Sequence, residues 1–220
     1  MKNPKVAVIL AGNGVYDGSE IHEATMSLYA IVKNGGAYEI FAPDIDQHHV
    51  INHTNGEEMK ETRNVLIESA RIARGQISNL NQLNVSNFDA LIVPGGFGVA
   101  KNLSDFAFKG TEMTVLKAFE DIILEFVKQE KPIGALCISP AIIAKVLKES
   151  TITIGNDNET IIAVEAMGAT HRIADHGEVV IDKKYKLATT PCYMLDATIV
   201  EIGDGAQNVV KAIFDMINKK

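Results

Sequence analysis

Short, uniformly apolar segments alternate along the chain with segments whose apolar residues recur at helical spacing. The apolar segments lie at residues 6–11, 38–42, 90–93 and 133–136. Strands without polar alternation are buried on both faces, which is typical of a parallel sheet covered by helices. Since helical segments separate them, the pattern predicts an α/β fold with a doubly wound, mainly parallel sheet and helices on both faces.

Two helical segments have the clearest boundaries or faces. The first covers about residues 19–34, where Ser19 is a candidate cap and Gly35 and Gly36 a candidate end. The second is the C-terminal helix. Its apolar residues share one face: Val209, Val210, Ile213, Phe214 and Ile217.

Two other segments depart from the simple alternation. Residues 44–83 are polar apart from one good helix near residues 61–74, and we expect an insertion that packs over one end of the sheet. Residues 170–190 resemble a β-hairpin, with strands near 179–181 and 185–188 flanking a turn at 182–184.

Size and charge limit the classes of function. The 220 residues fit one domain covering residues 1–220. The net charge is -7 without a compensating basic run, which argues against nucleic-acid or membrane partners. The apolar run at residues 6–11 is too short for a signal peptide, so we predict a cytoplasmic protein whose Cys137 and Cys192 are reduced thiols.

Cys137 is the strongest candidate for chemistry. The apolar strand 133–136 runs directly into it, and Ser139 and Pro140 resemble a helix start. A nucleophile on such a strand-to-helix turn is exposed at the tip, and a helix N-terminus favours the thiolate. Position alone leaves a second interpretation open, namely a buried, inert cysteine.

Two glycine-rich strand ends should lie near this thiol. Gly95 and Gly96 follow the strand at 90–93, and their N–H groups could form an oxyanion hole with that of Ile138; a plain tight turn is the alternative. The loop at residues 12–20 has the wrong spacing for a dinucleotide site, and its carboxylates would repel phosphate. Glu20 is either an acid–base partner of the thiol or a surface carboxylate.

Several motifs together resemble a known family. The first motif is GVYDGSEIHEA at residues 14–24. The others lie at residues 51–75, 91–107, 137–141, 153–155 and 189–195. The chain resembles the ThiJ/PfpI superfamily, relatives of class I glutamine amidotransferases. Within it the chain is similar to the ElbB family, bacterial proteins associated by name with isoprenoid biosynthesis and described as glyoxalases.

The resemblance implies a flavodoxin-like sheet, a homodimer and no cofactor. It implies that Cys137 is the nucleophile, that Glu20 is the carboxylate hydrogen-bonded to it, and that Gly96 and Ile138 supply the oxyanion hole. Many peptidase-like members carry His where this chain has Ile138, so peptidase or amidotransferase activity is not expected.

The implied activity is a cofactor-free, glyoxalase-like conversion of small 2-oxoaldehydes to 2-hydroxy acids. It would proceed through a hemithioacetal on Cys137, with Glu20 as acid and base. Two alternatives stay open: a redox or stress sensor that uses an oxidisable Cys137, and a non-catalytic binding protein that retains the pocket.

The remaining polar residues give weaker signals. Candidates for lining the pocket are His53, Arg63, Asn102 and His171. A histidine- and aspartate-rich loop at residues 44–53 fits no standard metal spacing, so we predict no metal site there. Cys192 has no assigned role.

Overall fold

The computed structural model describes residues 3–218, which form a seven-stranded sheet in the order β3-β2-β1-β4-β5-β9-β8. All neighbouring strands are parallel except β8, which is antiparallel to β9. The bounds are β1 Lys5–Ile9, β2 Ala37–Ala42, β3 Ser78–Asn79, β4 Ala90–Val93, β5 Ile133–Leu136, β8 Val180–Asp182 and β9 Leu187–Thr190. The flavodoxin-like α/β fold is therefore confirmed.

Helices cover both faces of this sheet. A second, two-stranded parallel sheet is formed by β6 (Thr151–Ile152) and β7 (Thr170–His171). The helices are α1 Ile21–Lys33, α2 Val65–Ile72, α3 Phe97–Lys101, α4 Phe106–Lys109, α5 Lys117–Lys128, α6 Ser139–Val146, α7 Asn158–Ala166 and α8 Ile199–Asn218. Within residues 3–218 no helix has both the length and the apolar character needed to cross a bilayer.

The inner strands β4 and β5 and residues 6–9 of β1 are apolar because each separates two cores. In β1, Ala7 and Ile9 face the core that contains α5 and α6, whereas Val6 and Val8 face the core that contains α1 and α8. All four side chains are fully buried. Alternate residues of a strand point to opposite faces, so both sets must be apolar.

The C-terminal helix confirms its predicted apolar face. Val209, Val210, Ile213 and Phe214 are buried, and Ile217 packs at the margin of the same core. Each such side chain contributes roughly 1.5–3 kcal/mol when fully buried. This face fixes α8 beside α1, which carries residues of the candidate site.

The hairpin is only partly as predicted. Its two strands, β8 and β9, pair as expected, but β9 also pairs with β5 and is an inner strand of the main sheet. Residues 170–171 belong instead to the second sheet. The hydrophobic pattern indicates an extended strand but does not specify its second neighbour.

The insertion does pack over the carboxyl ends of the strands. Gly12 N–H donates to Ser69 Oγ at 2.9 Å, and Ile51 N–H donates to Asp17 Oδ2 at 2.6 Å. The insertion also contributes the edge strand β3, and its helix α2 is shorter than predicted. These bonds hold the glycine-rich loop after β1 in place.

Candidate functional site

Cys137 lies on the predicted strand-to-helix turn. β5 ends at Leu136 and α6 begins at Ser139, with Pro140 in its first turn. Cys137 has a φ of +60°, a left-handed conformation that costs a non-glycine residue free energy and therefore indicates a constrained position. Two bonds fix the turn: Cys137 N–H donates to Thr190 O at 3.0 Å, and Ser139 Oγ donates to Pro94 O at 2.8 Å.

The carboxyl group that contacts this thiol belongs to Glu23, in the first turn of α1. Glu23 is fully buried and hydrogen-bonded to the Cys137 side chain. Its Oε2 accepts from Gly95 N–H at 2.8 Å, and its Oε1 accepts from Tyr193 N–H at 3.3 Å. The prediction that Glu20 is the carboxylate hydrogen-bonded to the thiol is therefore wrong.

Glu20 instead caps the helix. Its carboxylate folds back and accepts from Glu23 N–H at 2.7 Å, which satisfies an otherwise unpaired donor of the first turn. The predicted cap, Ser19, accepts from Ala11 N–H at 2.8 Å. Because Glu20 is the cap, Glu23 lies three positions later in the first turn of α1. It is on the face of the helix that meets the site.

Two backbone N–H groups converge on the Cys137 sulfur, those of Gly96 and Ile138. Gly96 has a φ of +99°, and a Cβ there would lie 2.4 Å from both Glu20 N and Gly18 O. Glycine is thus required by conformation and by space. Gly95, predicted to belong to the oxyanion hole, directs its N–H at Glu23 instead.

Gly95 also permits the close approach of the acid and the thiol. A Cβ on Gly95 would lie 2.4 Å from Cys137 Cβ, 2.9 Å from Cys137 Sγ and 2.7 Å from Glu23 Oε2. The backbone after β4 therefore lies directly against both of these side chains.

Burial controls the protonation of this pair. Burial raises the pKa of Glu23 from 4.5 to about 8, and the charge of Glu20 acts in the same direction. Burial, then the charge of Glu23, raises the pKa of Cys137 well above its ordinary value, while the N–H groups of Gly96 and Ile138 oppose this change. Glu23 is therefore a neutral acid at pH 7, able to donate a proton towards the sulfur.

Three neighbouring residues were not assigned to the site from the sequence. Tyr193 donates its N–H to Glu23, and a 2.7 Å hydrogen bond joins its hydroxyl group to Nδ1 of the exposed His22. Cys192 precedes Tyr193 and is buried in the same core as Cys137. The sequence feature that could have identified Cys192 and Tyr193 is the stretch TTPCYML at residues 189–195. It follows the predicted strand at 185–188 and ends near the same edge of the sheet.

Two of the four candidate pocket residues support the loop after β1. His53 donates from Nδ1 to Ile51 O at 3.0 Å and accepts at Nε2 from Tyr16 N–H at 3.2 Å. The buried Asn102 donates to Ala11 O at 2.9 Å and to Asp17 O at 3.0 Å. They hold the loop that precedes α1, so their contacts are with the backbone rather than with the thiol.

The other two candidates make contacts elsewhere. Arg63 forms ion pairs with Glu61 and Glu68. His171, on β7, accepts from Ile154 N–H at 3.2 Å, and burial lowers its pKa. The part of the chain that the structure describes holds no group of three or more imidazole, thiol or carboxylate side chains suited to a metal ion.

Sequence comparison identifies close relatives. The chain is 47% identical to a rat protein named ES1 protein homolog, mitochondrial, over 98% of this chain and 85% of that protein. It is 44% identical to the human protein named glutamine amidotransferase-like class 1 domain-containing protein 3, mitochondrial, over 98% of this chain and 84% of that protein.

These relatives correct two predictions. They are mammalian proteins named as mitochondrial, which contradicts the predicted cytoplasmic location and the predicted bacterial character. The cytoplasmic location was predicted from composition and from the weak N-terminal apolar run. Neither property determines the cellular compartment of a protein. The bacterial character came only from the resemblance to the ElbB family.

Solved structures and a family model agree on the fold. The crystal structure of an isoprenoid biosynthesis protein with amidotransferase-like domain from Ehrlichia chaffeensis superposes with a TM-score of 0.89 at 36% identity, covering 96% of this chain and 99% of that one. Drosophila melanogaster DJ-1beta shares the fold, with a TM-score of 0.57 at 13% identity, covering 99% of this chain and 97% of that one. The DJ-1/PfpI family model matches residues 5–197, so the chain belongs to the DJ-1/PfpI family.

Proposed function

We propose that this protein is a cofactor-free enzyme that converts small 2-oxoaldehydes, such as glyoxal and methylglyoxal, to 2-hydroxy acids. Cys137 is the nucleophile, and Glu23 is the acid and base in place of the predicted Glu20. The observation that carries the proposal is the contact between the buried Glu23 carboxyl group and the Cys137 side chain, which lie together against Gly95. A nucleophile beside one positioned acid–base group is what this reaction requires.

The burial of the thiol supports a small substrate. Cys137 is only 7% exposed, which leaves little access for a peptide but suits an aldehyde of two or three carbons. The acid–base group in contact with the sulfur is a carboxyl group rather than an imidazole. That arrangement favours proton transfer between adjacent carbons over the peptidase-like chemistry of relatives with a histidine after the nucleophile.

The reaction begins from the form of the pair that holds one proton, and that proton lies on sulfur because Cys137 has the higher pKa. The Glu23 carboxylate takes this proton as the sulfur attacks the aldehyde carbon, and it gives the proton to the aldehyde oxygen, which yields a hemithioacetal. The N–H groups of Gly96 and Ile138 stabilise the developing negative charge.

Glu23, now a carboxylate, takes the proton from the former aldehyde carbon and forms an enediol. Glu23 exchanges this proton with solvent and delivers a proton to the neighbouring carbon, and a thioester of the hydroxy acid results. Water then attacks the thioester, with Glu23 as the base, and releases the hydroxy acid and the Cys137 thiol. The balance is one 2-oxoaldehyde plus one water giving one 2-hydroxy acid.

The test is methylglyoxal consumption and lactate formation without added glutathione or metal. We expect turnover by the wild type, none by Cys137→Ser, and a loss of roughly 100- to 10,000-fold for Glu23→Gln. Cys192→Ser is the matched control, because it removes the other buried thiol and should retain turnover. In D2O, lactate should carry deuterium at C2, which an internal hydride shift would not produce. Equal turnover by wild type and Cys137→Ser would refute the proposal.

A further inference from the structure

The second buried thiol lies on the strand that pairs with the strand of Cys137. In the β5–β9 register Leu136 is opposite Thr190, and Cys137 N–H donates to Thr190 O at 3.0 Å. Cys192 follows two residues after Thr190. Neighbouring strands lie about 4.8 Å apart, so the two cysteines leave the same edge of the sheet side by side.

Both thiols face the same side of the sheet. They belong to the one apolar core that contains α1 and α8, and Cys192 is 5% exposed. One carboxyl group contacts the chain at both cysteines. Glu23 is hydrogen-bonded to the Cys137 side chain, and it accepts a hydrogen bond from the N–H of Tyr193, which follows Cys192. The charges of Glu23 and Cys137 also contribute to the raised pKa of Cys192, after burial.

The backbone around Cys192 is constrained and closely packed. Cys192 has a φ of +44°, in the left-handed region like Cys137. Its Sγ lies against Gly205 of α8, where an added Cβ would approach to 3.1 Å. Glycine at this position lets α8 pack directly against the sulfur, so the helix holds Cys192 in place beside Thr190.

We propose that Cys192 is a resolving thiol, which forms a disulfide bond with Cys137 after a hydroperoxide has oxidised Cys137 to a sulfenic acid. A disulfide requires Cα atoms roughly 4.4–6.8 Å apart, and neighbouring strands about 4.8 Å apart place the two segments at a separation of that order. The proposal shares with the proposed function only the nucleophilic thiol of Cys137, and it does not depend on aldehyde turnover.

The two steps balance as follows. The Cys137 thiolate attacks one peroxide oxygen, the O–O bond breaks, and water or an alcohol leaves after taking a proton. The sulfur of Cys192 then loses its proton and attacks the Cys137 sulfur, the S–O bond breaks, and the hydroxyl group leaves as water with that proton. The two sulfurs together lose two electrons, and the peroxide gains them.

The consequence is protection of the active thiol. A sulfenic acid that meets no second thiol can take up another oxygen and become a sulfinic acid, which ordinary thiol reductants do not reverse. A disulfide is restored by a dithiol reductant. Exposure to peroxide would then switch the site off reversibly rather than destroy it.

The experiment treats the reduced protein with a small excess of hydrogen peroxide, blocks free thiols under denaturing conditions, and measures intact mass and cysteine peptides. We expect the wild type to lose two hydrogen atoms, to contain a peptide pair joined through Cys137 and Cys192, and to regain both thiols with dithiothreitol. In Cys192→Ser, Cys137 should gain two oxygen atoms that dithiothreitol does not remove. In Cys137→Ser, Cys192 should stay reduced.

Three outcomes would overturn the proposal: a wild type in which Cys137 becomes a sulfinic acid while Cys192 stays free, a disulfide that joins two chains, or identical oxidation of wild type and Cys192→Ser. Cys192→Ala provides a second variant if the serine is poorly tolerated in this apolar core. The readout is mass, so failure here is distinguishable from failure of the aldehyde assay.

Discussion

Replacing Glu23 with Gln should make the stability of the protein less dependent on pH. The carboxyl group ionises near 4.5 when exposed and near 8 when buried in the folded protein. Between these values the folded state holds a proton that the unfolded state has lost. The free energy of unfolding therefore falls by about 1.4 kcal/mol for each pH unit.

The interval between 4.5 and about 8 sets the size of the effect. Over that interval the wild type loses on the order of 5 kcal/mol, a large share of the 5–15 kcal/mol that usually stabilises a domain. Glutamine has the size of the protonated acid, keeps an oxygen to accept from Gly95, and does not ionise. The variant should therefore be near the wild type at pH 5 and clearly more stable at pH 8.5.

Urea unfolding at pH 5, 6, 7 and 8.5 measures this difference directly. Glu112→Gln is a suitable control, because that side chain is exposed and its replacement should leave the pH dependence unchanged. A stability difference between wild type and Glu23→Gln that does not change with pH would refute the argument that Glu23 is buried as a neutral acid.

Two further substitutions test the packing and the charge of the site. Gly95→Ala places a methyl group 2.4 Å from Cys137 Cβ, and it should cost about 1–3 kcal/mol in urea unfolding and slow aldehyde turnover. Gly203→Ala is its control, because the nearest atom would be 3.7 Å away and a helical alanine should add roughly 0.5–1 kcal/mol. Glu20→Gln removes a charge that raises the pKa of Glu23, so the pH at which turnover rises should move below 8 without reaching 4.5, since burial is the larger cause.

The turn that carries Cys137 could be predicted from the sequence because every local signal agreed. An apolar run long enough for one strand ends at the cysteine. Three residues later comes Pro140, which suits the first turn of a helix. Glycines after the neighbouring strand indicated the close approach of its backbone. Agreement among such independent features is what makes a local structure predictable.

The identity of the acid could not be predicted in the same way, because it depends on where α1 begins. With Ser19 as the cap, Glu20 would open the helix and point towards the site. With Glu20 as the cap, its side chain is used by the helix and Glu23 turns inward. Helix boundaries differ by one or two residues even between assignments made on a structure, so the sequence pattern cannot choose.

The nearness of Cys192 was missed for a different reason. The hairpin pattern indicated β8 and β9 correctly, but only the pairing of β9 with β5 brings residues 191–193 beside Cys137. Pairing between strands about 50 residues apart is not contained in local periodicity. The homodimer and the single domain over residues 1–220 stay predictions.

A single substitution should separate the two reactions proposed for Cys137. The aldehyde route needs Glu23 twice as a base, to remove a proton from carbon and to activate water, so Glu23→Gln should lower lactate formation by roughly 100- to 10,000-fold. Attack on a peroxide needs only the thiolate. Above about pH 8, where Glu23 is ionised, its charge contributes to the raised pKa of Cys137, so its removal should favour the thiolate there and leave oxidation intact or faster. Loss of both reactions in Glu23→Gln, with the fold preserved by circular dichroism, would show that the carboxyl group is needed to form the nucleophile itself.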